Sequence, residues 1–522
     1  MRIQVLIDCE GDLQQKARYV LDTFLVTLGL SYSFVDEPGS SESDDLLVTY
    51  SMDSKILMGR KNVLCIAQSP QAQQYFLART KYDVCNARWL RFDGRDIPIL
   101  FWTKSAPPCI DLESAMESIW LEQKFVLEGD IVSSAFYFLS RWEESVIGQR
   151  DQWGRFRYED SLYNELDCFS EPIVNSYLRI FESILRRISA ANGVSLPSSP
   201  LWKGQHRFAV CLTHDVDWTT RWCLSRIWAE VMRCGGMVRK QRMVREALAS
   251  GFRFLLSGLK TRNAYWNFRG LVEGERHYGF KSSFFFLADG KHLRDKGGYQ
   301  LDDEQFIRLI NFLQQQGCEI GIHGSFNSFA NPHMLRSEID KLSELAQPIW
   351  GIRQHYLRFD SQRSFQILEA LGLRYDTTLA FAEREGYRSG FSFPFYPYNL
   401  TEDRPFKVLE IPLTLMDVTL RDYRGLDGEE GWNTFENILA QTAENMGCCT
   451  IIWHNSSFDD IESPGYGTIY WKALEWICEH GGWGASGREI CQWWEERAIR
   501  LRPTPDFPKL EEPASHWAGR QS

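Results

Sequence analysis

The sequence predicts an α/β protein in which a distorted (β/α)7-type barrel follows a smaller α/β domain at the N-terminus. With 522 residues the chain exceeds one ordinary hydrophobic core, so two or three domains are expected. From about residue 205, apolar runs of strand length alternate with amphipathic helical patterns, which is typical of a parallel sheet. Three of these runs end in acids or histidines, and α/β barrels carry their chemistry at the carboxyl ends of their strands.

The composition indicates a folded protein that has no general affinity for nucleic acid. Hydrophobic residues make up 44% of the chain and aromatic residues 14%, which is enough for large cores. The formal net charge of −11 lacks the excess of Lys and Arg that a phosphate-binding surface needs. Thirteen cysteines occur without a CxxC pair, which favours a reducing cytoplasm. The segment 1–8 reads as a short strand rather than a signal peptide, and no apolar stretch reaches the length of about 18 residues that suggests a membrane span.

Residues 1–190 are predicted to form the N-terminal α/β domain, and residues 191–204, rich in Pro and Ser, a linker. The strand candidates are Ile3–Ile7, Leu46–Thr49, Val63–Ala67 and Ile97–Trp102, with a helix at Gln14–Leu28. Asp130 is placed to cap a further helix. The end of that helix, Arg141–Glu144, is expected to be exposed and salt-bridged. A turn is expected at Asp151–Phe156.

Residues 205–500 are predicted to form the barrel, and residues 501–522, with several prolines, an irregular tail. Seven strands are expected, mostly separated by helices. They are Phe208–Asp217, Lys281–Ala288, Cys318–His323, Ile349–Tyr356, Arg374–Leu379, Val408–Leu413 and Cys449–Trp453.

An insertion at 219–265 interrupts the alternation of strands and helices. It reads as helical and is rich in Arg and Lys, with apolar residues interleaved among the charges. Such a surface could lie against anionic lipid or a pyrophosphate-linked glycan, which would make the protein membrane-peripheral. The alternative is a helical flap that packs on the barrel with its charges in solvent.

Three strand ends deliver polar groups that would converge on one face of the barrel. They are Thr213–Asp217, Glu319–His323 with the residues that follow it, and Ile451–Asn455. A single histidine after an apolar run is usually structural, but three such endings in one domain indicate a site. His214 lies on the opposite side of its strand from Asp215, which favours a structural role.

The order of these motifs resembles the polysaccharide deacetylase family, the NodB-homology carbohydrate esterases. The first motif of the family, Thr-Phe-Asp-Asp-Gly, is matched by Thr213–Asp217, and its histidine motif by Glu319–His323. Gly351–Tyr356 occupies the place of the arginine motif, Tyr375–Leu379 that of the aspartate segment, and Ile452–Asn455 that of the final Leu-Leu-His. The N-terminal region resembles a domain of unknown function that accompanies some of these deacetylases.

The resemblance implies a role for each matching residue. Asp215 takes the position of the general base and His454 that of the general acid. Arg353 would orient Asp215, and Asp376 would fix the tautomer of His454. A divalent metal, with zinc as the expected ion, would be held by Asp217, His323 and Asn327.

The ligand set departs from the family pattern at two positions. Val216 stands in the register of the metal-binding acid, so the role passes to Asp217, and we expect the backbone to turn between Asp215 and Asp217. Asn327 replaces the second histidine, and its amide oxygen suits harder ions better than zinc. His214 and His355 are further candidates for this third position.

The resemblance therefore implies a metal-dependent hydrolase that removes an acetyl group from an N-acetylated amino sugar of a surface polysaccharide or its lipid-linked precursor. Two alternatives remain open. The same barrel could cleave a C–N bond in a non-sugar amide. A protein with an altered ligand set could also bind glycans without catalysis.

Overall fold

The computed structural model describes residues 3–9, 11–37, 45–52, 60–103, 109–169, 171–220, 231, 251–252, 263–289, 292–295, 297 and 299–502. Most of the basic insertion predicted at 219–265 and nearly all of the tail predicted at 501–522 lie outside these residues. Within them, no helix is both long and apolar enough to cross a membrane.

The N-terminal region contains a five-stranded parallel sheet. Its strands are β1 (Ile3–Asp8), β2 (Tyr32–Val35), β3 (Leu46–Ser51), β4 (Val63–Ala67) and β8 (Lys124–Leu127), in the spatial order β2-β1-β3-β4-β8. The second and last of these strands were not expected from the sequence. The central strand β3 is buried along its whole length, as expected of a strand inside a parallel sheet covered on both faces.

The predicted strand at Ile97–Trp102 belongs to a separate small sheet. In this sheet β5 (Arg88–Phe92) pairs antiparallel with β6 (Arg95–Ile99) and parallel with β7 (Cys109–Asp111). Asp93 and Gly94 join β5 to β6 with φ of 53° and 70°. Two successive positive φ angles suit a two-residue hairpin, so the Asp-Gly pair explains why this strand turns back on its neighbour.

Helices cover the N-terminal sheet. They are Leu13–Leu28, Pro70–Ala78, Leu112–Met116, Ile119–Glu122, Ile131–Leu139, Trp142–Val146, Leu162–Leu166 and Ile173–Ala191. The Asp130 carboxylate accepts a hydrogen bond from the Ser133 amide at 2.8 Å, as expected of a helix cap.

The segment Arg141–Glu144 is buried, which corrects the expectation of an exposed helix end. Arg141 is 1% exposed, and its guanidinium contacts the carboxylates of Glu143 and Glu144 at 3.0 and 2.8 Å. Arg388, from the barrel region, donates to the same Glu144 oxygen at 2.9 and 2.7 Å. Distant partners supply the compensating charge, so local charge pattern could not reveal the burial.

In the described part of the barrel region, nine strands form one parallel sheet. Its strands are β9 (Phe208–Val216), β10 (Ser283–Leu287), β11 (Glu319–Gly324), β12 (Gly351–Gln354), β13 (Tyr375–Asp376), β16 (Leu409–Glu410), β17 (Leu413–Met416), β18 (Cys448–Ile452) and β19 (Gly482–Ala485). The strands β14 (Tyr398–Asn399) and β15 (Arg404–Pro405) form a separate hairpin. The predicted α/β fold class, a distorted barrel after a smaller α/β region, is confirmed.

The chain itself closes the ring of strands. β16 lies at one edge of the sheet beside β13, and β17 lies at the other edge beside β18. Only Ile411 and Pro412 separate these two strands, so one bent segment belongs to both edges. The Ile411 amide donates to Asp376 and the Pro412 carbonyl accepts from Thr450, which ties the segment to both sides. Counting this segment once, seven strand positions surround the barrel, and β19 pairs with the first half of β9.

Side chains alternate along β9 between the barrel interior and the helix layer. Ala209 and Cys211 join the cluster that contains Phe285, whereas Val210 and Leu212 pack in the outer cluster. The outer cluster lies under helices Phe268–His277, Glu304–Gln315, Pro332–Ser343, Arg363–Ala370, Gly428–Glu444 and Tyr466–Glu479. Helix Gly487–Leu501 contributes instead to the inner cluster, which also contains the core of the N-terminal region. The two regions therefore share one continuous core.

We predict that Arg388→Met destabilises the protein strongly. The substitution leaves Glu144 buried beside Arg141 with half of its ion pairs, and loss of one partner of a buried pair costs about 3–5 kcal/mol. Urea unfolding followed by tryptophan fluorescence measures the change. Arg91→Met is the control, because Arg91 and Asp96 form an exposed pair, 57% and 47% accessible. Equal shifts of the unfolding midpoint for both variants would contradict this account.

Candidate active site

A cavity of about 210 Å³ opens at the carboxyl ends of the barrel strands. The predicted residues Asp215, Asp217, His323, His355 and His454 all line it. The remaining lining residues are Arg155, Trp218, Tyr265, Gln354, Tyr356, Leu357, Met416, Val418, Arg421, Asp422, Tyr423, Ser456, Glu462 and Ser463. Side chains from β9, β11 and the segments after β12 and β18 thus meet in one place, as parallel strands require.

Asp215 and Asp217 both reach the cavity at the carboxyl end of β9. β9 ends at Val216 and the backbone bends at Asp217, in the segment where a turn was expected. The His323 Nε2 atom is 4.0 Å from Asp215 Oδ2 and 3.2 Å from Asp217 Oδ1.

Asp217, His323 and His355 form a group that could hold a metal ion. One ligand atom from each lies within 4.8 Å of the other two. Asp217 Oδ1 is 3.2 Å from His323 Nε2 and 3.6 Å from His355 Nε2. Ligands held about 2.0–2.2 Å from one ion at tetrahedral angles lie roughly 3.3–3.6 Å apart, so the spacing suits a three-ligand site with one open position.

Asn327 does not belong to this group, and we replace it with His355 as the candidate third ligand. The Asn327 side chain is exposed and its Oδ1 accepts a hydrogen bond from Arg358 at 3.2 Å. His355 approaches from the end of β12, a different strand from the one that bears His323. This candidate donor comes from a neighbouring strand, so spacing within the histidine motif does not identify it.

Both histidines of the group are oriented by hydrogen bonds from their other ring nitrogen. His323 Nδ1 donates to the Arg353 carbonyl at 2.9 Å, and because a carbonyl only accepts, the proton lies on Nδ1. His355 Nδ1 contacts Asp295 Oδ1 at 2.9 Å, and Asp295 is 3% exposed. Such partners leave Nε2 available as the ligand atom.

The pKa values of Asp217 and His355 are both shifted by their charged neighbours. Burial favours the neutral acid, but the imidazoles of His355 and His323 outweigh it and hold the pKa of Asp217 well below its ordinary value. Burial also disfavours the imidazolium of His355, yet the carboxylates of Asp217 and Asp295 raise the pKa of His355 well above its ordinary value. The site therefore concentrates negative charge where a cation would sit.

Arg353 lies beside Asp215 in the barrel interior. Its Nη1 atom is 3.5 Å from Asp215 Oδ1, and its Nη2 atom donates to the hydroxyls of Thr213 and Thr377 at 3.3 and 3.2 Å. Arg353 is fully buried and Asp215 is 3% exposed. The guanidinium can thus orient this carboxylate towards the cavity.

His454 is held by Asp417, not by Asp376 as expected. His454 Nδ1 is 2.7 Å from Asp417 Oδ1, and Asp417 Oδ2 accepts from the His454 amide at 2.9 Å and from the Ser457 hydroxyl. Asp376 accepts instead from the amide and hydroxyl of Thr378, both at 2.7 Å. Burial lowers the pKa of His454, but the Asp417 carboxylate outweighs it and raises that pKa to about 9.

The sequence analysis missed two residues of the candidate site, Asp417 and Asp295. Asp417 directly follows β17, but the predicted strand ended at Leu413, so the acid was not recognised as a strand end. Asp295 lies in the single turn Leu293–Asp295, outside the strands, and no sequence signal marks it. His214, an alternative candidate, binds the Trp453 carbonyl and Glu275 at 2.7 Å each on the outer side of β9, which makes it structural.

The comparisons with known proteins gave one family and several structural likenesses. Residues 5–190 match a family model described as a family of unknown function, DUF7033. The comparison with curated proteins gave no match. A putative polysaccharide deacetylase from Mycobacterium smegmatis has 18% identity, with 59% of this chain and 96% of that chain covered and a TM-score of 0.39. A probable polysaccharide deacetylase from Pseudomonas aeruginosa PAO1 has 15% identity, 58% and 95% coverage and a TM-score of 0.39. The Puue allantoinase has 14% identity, 58% and 95% coverage and a TM-score of 0.38.

We predict that His355→Ala abolishes tight metal binding, whereas Asn327→Ala leaves it unchanged. Loss of a residue that hydrogen-bonds a metal ligand lowers metal affinity about 10–100-fold, and loss of the ligand itself should lower it further. Titration with Zn²⁺ and Co²⁺, followed by calorimetry and visible absorption, measures both affinities. The opposite result, in which Asn327→Ala loses the metal and His355→Ala retains it, would restore the assignment made from motif spacing.

We also predict that Asp295→Asn lowers metal affinity about 10–100-fold without removing the site. The carboxylate would no longer fix the Nδ1 proton of His355, so the ring would lose basicity and orientation. The same Co²⁺ titration reports the change. Asp303→Asn, an exposed helix cap elsewhere on the barrel, is the control. Identical affinities for the two variants would remove Asp295 from the site.

Proposed function

We propose that this protein is a metal-dependent hydrolase that removes an acetyl group from an N-acetylated amino sugar. The observation that carries the proposal is the position of the Asp217, His323 and His355 group between two further sets of residues. Asp215 with Arg353 approaches it within 4.0 Å, measured from Asp215 to His323. His454 with Asp417 approaches it within 3.6 Å, measured from His454 Nε2 to Asp217 Oδ2.

Each set of residues has one part in the reaction. Asp217, His323 and His355 would hold a divalent metal, which when bound would supply a water of lowered pKa and polarise the acyl oxygen. Asp215, oriented by Arg353, accepts a proton from the attacking water. His454 carries a proton on Nε2 that faces the cavity, and it donates this proton to the amine that leaves. Asp417 keeps Nδ1 of His454 protonated throughout, so that only Nε2 exchanges its proton.

Aromatic side chains support a carbohydrate as the substrate. Trp218, Tyr265, Tyr356 and Tyr423 line the cavity and provide faces for the apolar side of a sugar ring together with hydroxyl groups. A surface polysaccharide or its lipid-linked precursor remains the proposed source of the sugar. For the lipid-linked form, the basic residues of 219–265 are the proposed contact with anionic headgroups, on their sequence alone.

We predict that Asp215→Asn and His454→Ala each lower kcat for acetate release by about 10²–10⁴-fold, the usual contribution of a general base or acid. The assay uses N-acetylated oligosaccharides and the metal-loaded protein, with metal content measured for every variant. His480→Ala is the control, because His480 is exposed and stacks on Trp476 away from the cavity. It should retain full activity.

Two outcomes of this experiment would overturn the proposal. Full metal binding without acetate release, in the wild-type protein, would point to a non-sugar amide as the substrate. No bound metal, together with no effect of either substitution on glycan binding or turnover, would point to a glycan-binding protein without catalysis.

A further inference from the structure

The turn Asp151–Arg155 of the N-terminal region forms part of the wall of the barrel cavity. We propose that Arg155 is a positioning residue for the active site, which holds the segment after His355 and the side chain of Tyr423 in place. The inference rests on the proposed function, since His355 matters here as a metal ligand. It makes the N-terminal region a component of the active site.

The turn is closed by its own hydrogen bonds. The Asp151 amide donates to the Arg155 carbonyl at 2.9 Å, and Asp151 Oδ1 accepts from the amides of Trp153 and Arg155 at 2.8 Å each. Gly154 has a φ of 79°, a conformation that glycine adopts without strain. The turn is therefore a rigid base from which the Arg155 side chain extends.

Arg155 extends from this base to two cavity residues of the barrel. Its Nη1 atom donates to the Tyr356 carbonyl at 3.1 Å, and its Nη2 atom donates to the Tyr423 hydroxyl at 3.2 Å. Its Nε atom donates to Asp151 Oδ2 at 2.7 Å, and the side chain is 8% exposed. Asp151 compensates the charge of Arg155, so the guanidinium acts on the barrel and is not a free cation for an anionic substrate.

The segment that Arg155 binds has an unfavourable backbone conformation. Tyr356 and Leu357 follow His355 with φ of 61° and 52°, in the left-handed region that residues with a Cβ atom rarely adopt. Such conformations persist where the surroundings hold them, and they cluster at active sites. The hydrogen bond from Arg155 to the Tyr356 carbonyl is one contact that holds this segment.

The barrel also holds the turn through contacts in the opposite direction. Arg358, just beyond the strained pair, donates from Nε to the Trp153 carbonyl at 2.7 Å. The Trp153 ring lies 5.5 Å from the Tyr356 ring, and the Arg294 guanidinium lies 4.3 Å from the Trp153 ring. The turn and the segment after His355 therefore each donate a hydrogen bond to the other. Displacement of the turn would release the backbone next to His355.

The experiment compares Arg155→Met and Arg155→Lys with Arg157→Met. Arg157 follows the same turn but pairs with Asp160 at 2.6 Å and does not line the cavity, so it is a matched control. Arg155→Lys keeps the charge beside Asp151, which preserves folding, but one ammonium cannot donate to all three partners of the guanidinium. The measurements are the Co²⁺ affinity and visible spectrum, hydrogen exchange of amides 355–358 in metal-free protein, and kcat and KM for acetate release.

We expect both Arg155 variants to lower Co²⁺ affinity about 10–100-fold, the range for loss of a residue that orients a ligand. The Co²⁺ spectrum should change, exchange at 355–358 should be faster, and kcat should fall more than KM rises. Arg157→Met should match the wild type in every measurement. A native spectrum and native exchange in both Arg155 variants would overturn the inference.

Failure of the proposed function is a separate outcome. Wild-type protein that binds Co²⁺ but releases no acetate would contradict the substrate, while the spectrum and the exchange would still decide the role of Arg155. Wild-type protein that binds no metal would contradict the proposed function. The hydrogen exchange of amides 355–358 would then decide the role of Arg155. Unchanged exchange in both Arg155 variants would contradict the inference, and faster exchange would support it.

Discussion

The arrangement of the cavity depends on one carboxylate that faces three imidazoles. Oxygens of Asp217 lie 3.2 Å from Nε2 of His323 and 3.6 Å from Nε2 of both His355 and His454. These histidines come from three different strand ends, so the barrel must be closed and in register for the contacts to form. Each ring can point Nε2 at the same place only because its Nδ1 atom has a partner elsewhere.

Those partners form the second layer of the site and divide the three histidines by function. The Arg353 carbonyl holds His323 and the Asp295 carboxylate holds His355, which directs both Nε2 atoms towards the place where a cation would sit. His454 is held by Asp417, and its raised pKa suits an acid that stays protonated until the reaction needs the proton. The hydrogen-bond partner of each Nδ1 atom thus distinguishes the two candidate ligands from the candidate acid.

The N-terminal region contributes to this arrangement from outside the barrel. Its core is continuous with the barrel interior, and the buried pair of Glu144 and Arg388 crosses between the two regions. Arg155 continues the same connection up to the cavity, where it contacts the backbone next to His355. A barrel without this region would expose a large apolar surface and release the segment that bears a candidate ligand.

The sequence by itself determined the features that depend on local pattern. The alternation of apolar runs and helical patterns was sufficient to predict a seven-strand barrel. The apolar runs before Asp215, His323 and His454 also predicted the face of the barrel on which polar groups converge. These features follow from the near neighbours of each residue, so they can be deduced before the chain is folded.

Tertiary structure decided the features that depend on residues far apart in the chain. The candidate ligand His355, its partner Asp295 and the partner of His454, Asp417, all follow from which loops meet above the closed sheet. The burial of Arg141 likewise depends on Arg388, which is 247 positions away along the chain. A donor is selected by the distance and direction of its atoms in space, and motif spacing specifies these only within a single strand or helix.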